Sequence, residues 1–450
     1  MTNSQIDTSI FKAYDIRGIY PNQLNENVAK LIGRAIVDLL NPKQAVLVKD
    51  VRIGSDKIYK ALIDGLLEGG CDVDYLGEST TDMMYFAVGK HNYDLGIAIT
   101  GSHNPSNYTG IKIVTKGVVP ISGDSGILDI REKVLAGNFK DSQNKGLYKE
   151  LDLQEGYANH VLSFIDLSKI KPLTLCVDTG NGVAGPVVEN ILSRLPVKVH
   201  YLFKEKDGRF PNHLPDPFKE ENVIALKKKV LETKSDLGVA FDGDGDRVFF
   251  IDEKGDYTIG YFLICLFSQI LLEKYPGGKI IYDPRFNWAI VDTVKKFGGV
   301  PLLNKVGHAF IKERMRSEDA IFAGESSSHF YFRDNFFADN GIIPLLLLLE
   351  LISSKGKTLS QLLDYYRKKY IWAGEFNTEV RDTDLVIERI KGAYSKYSID
   401  ETDGISIDNG REWRFNVRKS NTEPLIRLCV EGKDQETVDK IVKEVSVFIK

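Results

Sequence analysis

The sequence predicts an α/β protein with three similar α/β domains that have mixed, mostly parallel sheets, followed by a C-terminal α+β domain. Short apolar runs at Leu95–Ile99, Leu237–Phe241 and 320–323 each end in a glycine-rich polar loop, which indicates one structural unit used three times. Helix and strand patterns also alternate, as in the helix predicted at Glu26–Leu40 and the strand predicted at 45–48. Such alternation favours parallel sheets covered by helices.

The chain is long enough for several domains, because 450 residues exceed what one hydrophobic core normally supports. The alternation becomes sparser towards the C-terminus, which predicts a small α+β domain there. The predicted domains are residues 1–148, 149–255, 256–368 and 369–450. Ligands of open α/β sheets bind beyond the carboxyl ends of the strands. We therefore expect the three loops to converge on an active site in a central cleft.

Composition excludes several classes of protein. Hydrophobic residues make up 43% of the chain and charged residues 27%, as in ordinary globular proteins. A net charge of −4 argues against a general nucleic-acid binder. The longest apolar stretch, 342–352, is too short to cross a bilayer and contains Glu350, so no membrane partner is expected. Four scattered cysteines and the absence of a signal pattern favour the cytoplasm.

The first candidate site is Thr100-Gly101-Ser102-His103-Asn104-Pro105, directly after the run Leu95–Ile99. Ser102 is a possible oxygen nucleophile, and the adjacent His103 is a possible base. A serine hydroxyl needs a proton acceptor or a supporting cation to become an effective nucleophile. The alternative interpretation is a strand-ending turn with a capping serine.

The second candidate site contains three aspartates, Asp242, Asp244 and Asp246, at every second position after Leu237–Phe241. Three carboxylates so close together repel one another unless they surround a cation, which predicts a metal site. A calcium EF-hand is excluded because the sixth position, which requires glycine, holds Arg247, and because both flanks are typical of strands.

Two further polar stretches complete the set. Gly324-Glu325-Ser326-Ser327-Ser328-His329 follows the third apolar run, and its Glu325 and Ser327 can hydrogen-bond to adjacent hydroxyls of a sugar. The stretch 418–424 offers cations, hydroxyls and an amide that suit a phosphate group.

Together these stretches resemble the α-D-phosphohexomutase family, the phosphoglucomutase and phosphomannomutase enzymes. The motifs T-G-S-H-N-P, D-G-D-G-D-R, G-E-x-S-x-H and R-x-S-N-T-E-P match in order, and the match extends from residues 14–18 to 423–424. The resemblance implies reversible conversion of a hexose 1-phosphate into its 6-phosphate, through a phosphoserine at Ser102 and a bisphosphorylated sugar. It also implies Mg²⁺, held by Ser102, Asp242, Asp244 and Asp246, and hexose 1,6-bisphosphate as activator.

The resemblance also implies roles for other residues. Ser102, His103, Lys112 and Arg17 would be catalytic, with Lys112 a partner of the serine phosphate and His103 and His329 candidate proton shuttles. The residues implied to bind the sugar phosphate are Tyr14, Arg247, Arg285, His308, Lys312, Glu325, Ser327, His329, Arg418, Ser420, Asn421, Thr422 and Arg427. A salt bridge made by a strand residue is the alternative interpretation for Arg427.

The choice among sugars stays open at this point. Ser326 and Ser328 stand where many relatives have Met or Gln and Gly, which argues against an aminosugar and favours mannose or glucose. The alternatives are a phosphoglucosamine mutase, a metal-dependent sugar phosphatase and a non-catalytic sugar-phosphate sensor. A phosphatase has no use for a separate phosphate-binding stretch, and a sensor is expected to lose Ser102 or an aspartate. The oligomeric state is not determined by the sequence.

Overall fold

The computed structural model describes residues 6–420 and 425–449 of the chain. They form two compact units. Unit 1 comprises the described residues up to 258 together with 329–358, and unit 2 comprises 259–328 together with the described residues from 359 onwards.

The first part of unit 1 is a mixed sheet with helices. The strand order is β1-β5-β4-β2-β3-β7. Strands β2, β3, β4 and β7 run parallel, while β5 pairs antiparallel with β1, β4 and β6. The elements are β1 (Ile16–Ile19), α1 (Glu26–Leu40), β2 (Gln44–Lys49), α2 (Ser55–Glu68), β3 (Asp72–Glu78), α3 (Thr81–His91), β4 (Leu95–Ile99), β5 (Tyr108–Thr115), β6 (Val119–Pro120), α4 (Ile127–Ala136) and β7 (Tyr148–Glu150).

Local sequence explains the ends of these elements. Helix α1 begins after Asn25, whose side chain accepts a hydrogen bond from the amide of Val28, and it ends at Asn41 in the left-handed conformation. Strand β4 is buried at every residue, as expected for a continuous apolar run in the interior of a sheet. The predicted bounds Glu26–Leu40 and Leu95–Ile99 are both confirmed.

The second part of unit 1 has a sheet of order β12-β11-β10-β8-β9, in which β8 pairs parallel with β9 and β10. Strand β11 pairs antiparallel with β10, so the D-G-D-G-D-R motif forms the turn of a hairpin, and the exclusion of an EF-hand is confirmed. The elements are α5 (Gln154–Leu162), β8 (Leu173–Asp178), α6 (Ala184–Leu192), β9 (Val197–Leu202), α7 (Ile224–Thr233), β10 (Leu237–Phe241), β11 (Val248–Ile251) and β12 (Tyr257–Thr258).

The next stretch contributes to both units. Unit 2 contains α8 (Gly260–Lys274), β13 (Lys279–Tyr282), α9 (Trp288–Lys296), β14 (Val300–Leu303), α10 (His308–Glu318), β15 (Phe322–Gly324) and, further on, α12 (Leu359–Lys369); unit 1 contains β16 (Phe330–Phe332), β17 (Ala338–Asp339) and the buried helix α11 (Ile342–Lys355). Strand β13 pairs parallel with β14 and β15. The strand predicted at 320–323 begins two residues later, because Ala320 and Ile321 complete the connection from α10.

The C-terminal part of unit 2 is an antiparallel sheet of order β18-β22-β21-β20-β19 with two helices, which confirms the α+β prediction. Its elements are β18 (Ile371–Glu379), α13 (Thr383–Ala393), β19 (Ser398–Asp400), β20 (Ile405–Asp408), β21 (Trp413–Lys419), β22 (Leu425–Gly432) and α14 (Gln435–Ile449).

The predicted fold class is confirmed by these sheets, since each of the first three contains neighbouring parallel strands and the last is antiparallel. The predicted domain boundaries and the central cleft stay predictions. Among the described helices, none has the length and apolar character needed to cross a membrane.

Helices α1 and α2 pack unusually closely, and this contact generates a prediction. A Cβ atom on Gly33 would lie 2.4 Å from the carbonyl oxygen of Leu62, and one on Gly65 would lie 2.2 Å from that of Lys30. Gly33→Ala should therefore force the helices apart and lower the free energy of unfolding of unit 1 by about 1–3 kcal/mol. Calorimetric melting measures the change.

Gly392→Ala is the matched control, because Gly392 lies inside α13 with open space around its Cβ position. This substitution should raise stability by about 0.5–1 kcal/mol, since alanine loses less backbone entropy than glycine on folding. Equal melting temperatures for the two variants would contradict the close packing of α1 on α2.

Candidate active site

The serine of the first motif lies in the loop that joins β4 to β5 (residues 100–107, the Ser102 loop). Ser102 has a left-handed backbone with φ of +48°, and only 4% of its surface is exposed. Its Oγ donates a hydrogen bond to Oδ2 of Asp242 at 3.1 Å and lies 3.2 Å from Nδ1 of His103. The hydroxyl therefore faces a carboxylate and a possible proton acceptor, as an oxygen nucleophile requires.

The aspartates of the second motif form a buried cluster in the β10–β11 hairpin. Asp242, Asp244 and Asp246 are at most 1% exposed, and one carboxylate oxygen of each lies within 4.8 Å of the others. Within the described residues, Oδ1 of Asp244 and Oδ1 of Asp246 have no hydrogen-bond partner. Buried carboxylate oxygens without donors are suitable ligands for a hard divalent cation, so the cluster fits a metal ion.

Two basic side chains partly neutralise this cluster. Nζ of Lys112, on β5, lies 2.7 Å from Asp244 and 2.5 Å from Asp246, and Nε of Arg247 donates to Asp242 at 2.9 Å. Burial acts to lower the pKa of Lys112, but the two carboxylates outweigh it and raise that pKa. Lys112 is therefore held as an ammonium ion. If all three carboxylates were ionised, they and the two cations would leave one negative charge, which a divalent cation would more than balance.

The carboxyl groups of the cluster differ in protonation. Burial and repulsion by Asp244 raise the pKa of Asp246 to about 8. Burial also acts to raise the pKa of Asp244, but the ammonium group of Lys112 and the hydroxyl of Thr81 outweigh burial and lower the pKa of Asp244. Asp246 must therefore release a proton when a cation binds at neutral pH.

Both histidines proposed as proton shuttles lie beside the cluster in unit 1. Burial and the nearby Arg247 and Arg17 hold the pKa of His103 well below its ordinary value, so its ring is neutral at pH 7 and can accept a proton. Nε2 of His329 lies 3.8 Å from Oδ1 of Asp246. The structure thus brings both rings close to the groups that the sequence singled out.

Arg17, on β1, contacts the Ser102 loop. Its guanidinium lies 2.5 Å from Asp15, donates to the carbonyl oxygen of Gly101 at 3.3 Å and also donates to the side chain of Asn104. Tyr14, directly before Asp15, is partly buried. A contact between Tyr14 and a substrate phosphate stays a prediction.

Sequence reasoning missed other residues that shape this site. Thr81, at the start of α3, donates to Oδ2 of Asp244 at 2.8 Å. Arg52, directly after β2, donates to the carbonyl oxygen of Ser102 at 2.7 Å and to that of Asn104 at 2.6 Å. One signal for Arg52 was present in the sequence, because Asp50-Val51-Arg52 and Asp283-Pro284-Arg285 both follow an apolar strand.

The predicted sugar loop is anchored within unit 2 by Asp283 and Arg285. Oδ2 of Asp283 accepts a hydrogen bond from the amide of Ser326 at 2.6 Å. Nη2 of Arg285 donates to Oγ of Ser327 at 3.3 Å and lies 3.7 Å from Glu325. These contacts place Arg285 beside two residues predicted to bind the sugar.

Helix α10 starts next to the same loop. The backbone amide of Gly307, which precedes this helix, donates to Oε1 of Glu325 at 3.1 Å. His308 is the first residue of α10, and Lys312 lies one turn later with its side chain fully buried. The structure therefore brings the start of α10 and Glu325 together.

Basic side chains of β21 and β22 converge on one carboxylate, Glu375 of β18. Arg418 lies 3.2 Å and Arg427 2.9 Å from Glu375, and Nη2 of Arg427 also donates to Oγ of Ser420 at 3.2 Å. The salt bridge considered for Arg427 is thus present, and it joins Arg427 to the predicted phosphate-binding group. Asn421 and Thr422 lie outside the described residues. Glu375 carried no signal in the sequence.

The fold and the site define a class of protein. A buried serine next to a carboxylate cluster suited to a metal ion, with basic side chains at the same point, is typical of enzymes that transfer phosphoryl groups. The chain belongs to the phosphoglucomutase/phosphomannomutase family. Models of its α/β/α domains I, II and III match residues 8–140, 155–255 and 259–370, and a model of its C-terminal domain matches residues 375–446.

Individual relatives agree with this assignment. A phosphomannomutase of Escherichia coli K12 is 44% identical over 432 residues, which is 94% of each chain. A protein of Xanthomonas campestris named phosphohexose mutases is 42% identical over 98% of this chain and 99% of its own. The crystal structure of a phosphoglucomutase/phosphomannomutase family protein from Burkholderia thailandensis has a TM-score of 0.90 and 32% identity, covering 99% of this chain and 98% of its own.

The raised pKa of Asp246 generates a prediction about stability without a metal ion. An acid whose pKa is higher in the folded than in the unfolded state binds its proton more tightly when folded. The contribution of Asp246 to the free energy of unfolding is therefore most favourable at pH values below 3.8, the usual pKa of an aspartate. This contribution is lost as the pH rises towards about 8, the pKa of Asp246 in the folded protein. In a chelator, the melting temperature of the Asp246→Asn variant should fall less between pH 5 and pH 8 than that of the unmodified protein.

Asp166→Asn is the control for this measurement. Hydrogen bonds from the side chain and amide of Ser168 lower the pKa of this exposed residue, so it stays ionised over the whole range. The melting temperature of Asp166→Asn should change with pH in the same way as that of the unmodified protein. If the melting temperature of Asp246→Asn also changed in this way, the assignment of a raised pKa to Asp246 would be wrong.

Proposed function

We propose that this protein is a phosphohexomutase that reversibly converts hexose 1-phosphates into hexose 6-phosphates, acting on mannose and glucose phosphates. The observation that carries the proposal is the position of the Ser102 hydroxyl, buried 3.1 Å from Asp242 at the edge of a carboxylate cluster. Membership of the phosphoglucomutase/phosphomannomutase family supports the same activity. In this proposal Ser102 carries the phosphoryl group, and hexose 1,6-bisphosphate activates the enzyme by phosphorylating it.

Asp242, Asp244 and Asp246, together with Ser102, would hold Mg²⁺. The unpartnered Oδ1 atoms of Asp244 and Asp246 support this assignment, because small hard cations prefer carboxylate oxygens. Bound Mg²⁺ would supply positive charge that stabilises a transferring phosphoryl group.

The protein's own side chains would provide the remaining electrostatic stabilisation. Lys112 is fixed as an ammonium ion between two carboxylates, and Nη2 of Arg247 lies 3.5 Å from Oγ of Ser102, so both can bind a phosphoryl group on that oxygen. Arg17 contacts the same loop. His103, neutral and 3.2 Å from Oγ, can accept the serine proton or return it. His329 is the second candidate for proton transfer.

Residues of unit 2 would recognise the substrate. Glu325 and Ser327 are proposed to bind adjacent sugar hydroxyls, with Arg285, His308 and Lys312 around them. Arg418, Ser420 and Arg427, with Asn421 and Thr422 of the same motif, are proposed to bind the phosphate that is not being transferred. The convergence of Arg418 and Arg427 on Glu375 supports this role, since it keeps two guanidinium groups together before an anion binds.

The site of action is proposed to be the cytoplasm. Cys71, Cys176, Cys265 and Cys429 are all free and buried, which suits a reducing compartment.

Ser102→Ala should abolish mutase turnover, because no other described oxygen of the loop lies at this position against Asp242. The measurement is a coupled assay with Mg²⁺ and hexose 1,6-bisphosphate, using mannose 1-phosphate, glucose 1-phosphate and glucosamine 1-phosphate. Ser106→Ala, in the same loop, is the matched control and should retain activity. Mannose and glucose phosphates should react at comparable rates and the aminosugar phosphate slowly.

Other results of this assay would revise the proposal in defined ways. Activity on glucosamine 1-phosphate alone would keep the mechanism and make the protein a phosphoglucosamine mutase. Release of inorganic phosphate without mutase products would move it to the sugar phosphatases. Full mutase activity of Ser102→Ala would refute the phosphoserine mechanism.

Glu325→Gln should lower kcat/KM for both hexose phosphates by about 10-fold to 100-fold, the usual effect of losing a charged hydrogen bond. Steady-state kinetics measures this change. Glu318→Gln is the control, since Glu318 ends α10 with exposed ion pairs to Lys279 and Arg314 and should leave kcat/KM unaltered. An unaltered kcat/KM in Glu325→Gln would remove Glu325 from the sugar site.

A further inference from the structure

We infer that Asp50 and Arg52 are positioning residues for Ser102, which fix the backbone of its loop so that Oγ faces Asp242. The inference rests on the proposed role of Ser102 as the phosphoryl carrier. Neither residue belongs to the motifs that identify the family here, and neither contributes an atom to the carboxylate cluster.

Arg52 binds the Ser102 loop and the first residue of β5 entirely through backbone carbonyl groups. One guanidinium nitrogen, Nη2, donates to Ser102 at 2.7 Å and to Asn104 at 2.6 Å. The other, Nη1, donates to Tyr108 at 3.2 Å and also to Pro105. The side chain of Arg52 has no exposed surface, so it cannot touch a substrate and acts through the groups that it contacts.

Asp50 holds both the guanidinium and the start of the loop. Its Oδ2 lies 3.0 Å from Nε of Arg52 and accepts a hydrogen bond from the amide of Gly101 at 3.0 Å. Its Oδ1 accepts from the amide of Arg52 at 3.0 Å and from the hydroxyl of Ser55. Because the carboxylate is bonded on both oxygens, Arg52 is fixed in one orientation. The planar, five-donor guanidinium is suited to such a site.

The conformation of the loop explains why such an anchor is needed. Ser102 has a φ of +48°, a left-handed conformation that residues with a Cβ adopt only at a cost in free energy. The loop also directs several carbonyl oxygens towards one buried point, where they would lack donors without Arg52. Glycine at position 101 allows this approach, since a Cβ there would lie 2.5 Å from Nε of Arg52.

The same Asp-x-Arg arrangement occurs a second time in the chain, within unit 2. Oδ1 of Asp283 accepts from the amide of Arg285 at 2.9 Å, as Oδ1 of Asp50 does from that of Arg52 at 3.0 Å. In each case the other carboxylate oxygen accepts a hydrogen bond from a backbone amide in the loop that follows the neighbouring parallel strand. This amide belongs to Ser326 in unit 2 and to Gly101 in unit 1.

The two arrangements differ in what the arginine contacts. Arg285 reaches the side chain of Ser327, whereas Arg52 uses its terminal nitrogens on backbone carbonyls. Arg285 therefore contacts a side chain that is proposed to bind the ligand, whereas the hydrogen bonds of Arg52 to the loop fix the position of the backbone. This difference supports the positioning role of Arg52.

The test compares Arg52→Lys with Arg34→Lys. Lysine keeps the positive charge beside Asp50, but its compact ammonium cannot reproduce the fork that bridges the carbonyl groups. Arg34 is the matched control, because it is also largely buried, pairs with Glu68 at 3.6 Å and donates to the carbonyl oxygen of Lys140 at 2.7 Å, away from the Ser102 loop.

Two readouts separate positioning from a general loss of structure. The single-turnover rate constant for phosphoryl transfer from Ser102 to a hexose phosphate does not depend on the fraction of active enzyme. Hydrogen exchange of amides in peptides covering 100–108 reports on the loop without requiring activity. Thermal melting shows whether each variant remains folded.

Arg52→Lys should lower the rate constant by about 10²-fold, the effect of misplacing a reacting group by about 1 Å, with KM within about threefold of normal. Its loop peptides should exchange faster while peptides of α1 and α2 do not. Arg34→Lys should change neither the rate constant nor loop exchange.

An unchanged rate constant and unchanged loop exchange in a folded Arg52→Lys protein would overturn the inference. So would equally fast exchange throughout unit 1, which would make Arg52 a general structural residue. If the unmodified protein transferred no phosphoryl group, the proposed function would fail, and loop exchange alone would decide whether Arg52 positions Ser102.

Discussion

Repulsion among three buried carboxylates is the constraint on which the site in unit 1 depends. Asp242, Asp244 and Asp246 would not remain together in a buried hairpin without nearby positive charge. That charge comes from Lys112 on the first sheet and Arg247 on the second, so the cluster requires both sheets of unit 1. One negative charge remains once all three carboxylates are ionised, and the unpartnered carboxylate oxygens are suited to the cation that the proposed chemistry requires.

A second constraint is the conformation of loops at strand ends. Backbone amide and carbonyl groups beyond the end of a strand no longer form hydrogen bonds with a neighbouring strand, so when buried they need other hydrogen-bond partners. In unit 1, Asp50 and Arg52 provide them for the Ser102 loop, and in unit 2 Asp283 provides an acceptor for the sugar loop. Placing a carboxylate and a guanidinium two residues apart after a parallel strand thus gives a compact way to fix the next loop along the sheet.

The sequence predicted much of the fold because the relevant signals are local. Helix Glu26–Leu40 and strands Leu95–Ile99 and Leu237–Phe241 have the predicted bounds, since capping, hydrophobic periodicity and turn residues act over a few positions. The strand expected at 320–323 begins at Phe322 instead, because its apolar pattern continues into a connection. The first three motifs lie at the ends of their strands, as predicted. Thr81 and Glu375 were missed because nothing local distinguishes them from surface polar residues, and the signal for Arg52 appears only when two distant stretches are compared.

The sequence by itself determined the family, the order of strands and helices, and the types of residue that end each strand. The tertiary structure alone decided which of these residues meet. Lys112 and Asp244 are 132 positions apart, yet lie 2.7 Å from each other, and Thr81 lies 163 positions from the same carboxylate. Protonation follows from the same cause, because burial and neighbouring charge, rather than residue type, raise the pKa of Asp246 and lower that of His103. Those conditions exist only once distant segments have packed together.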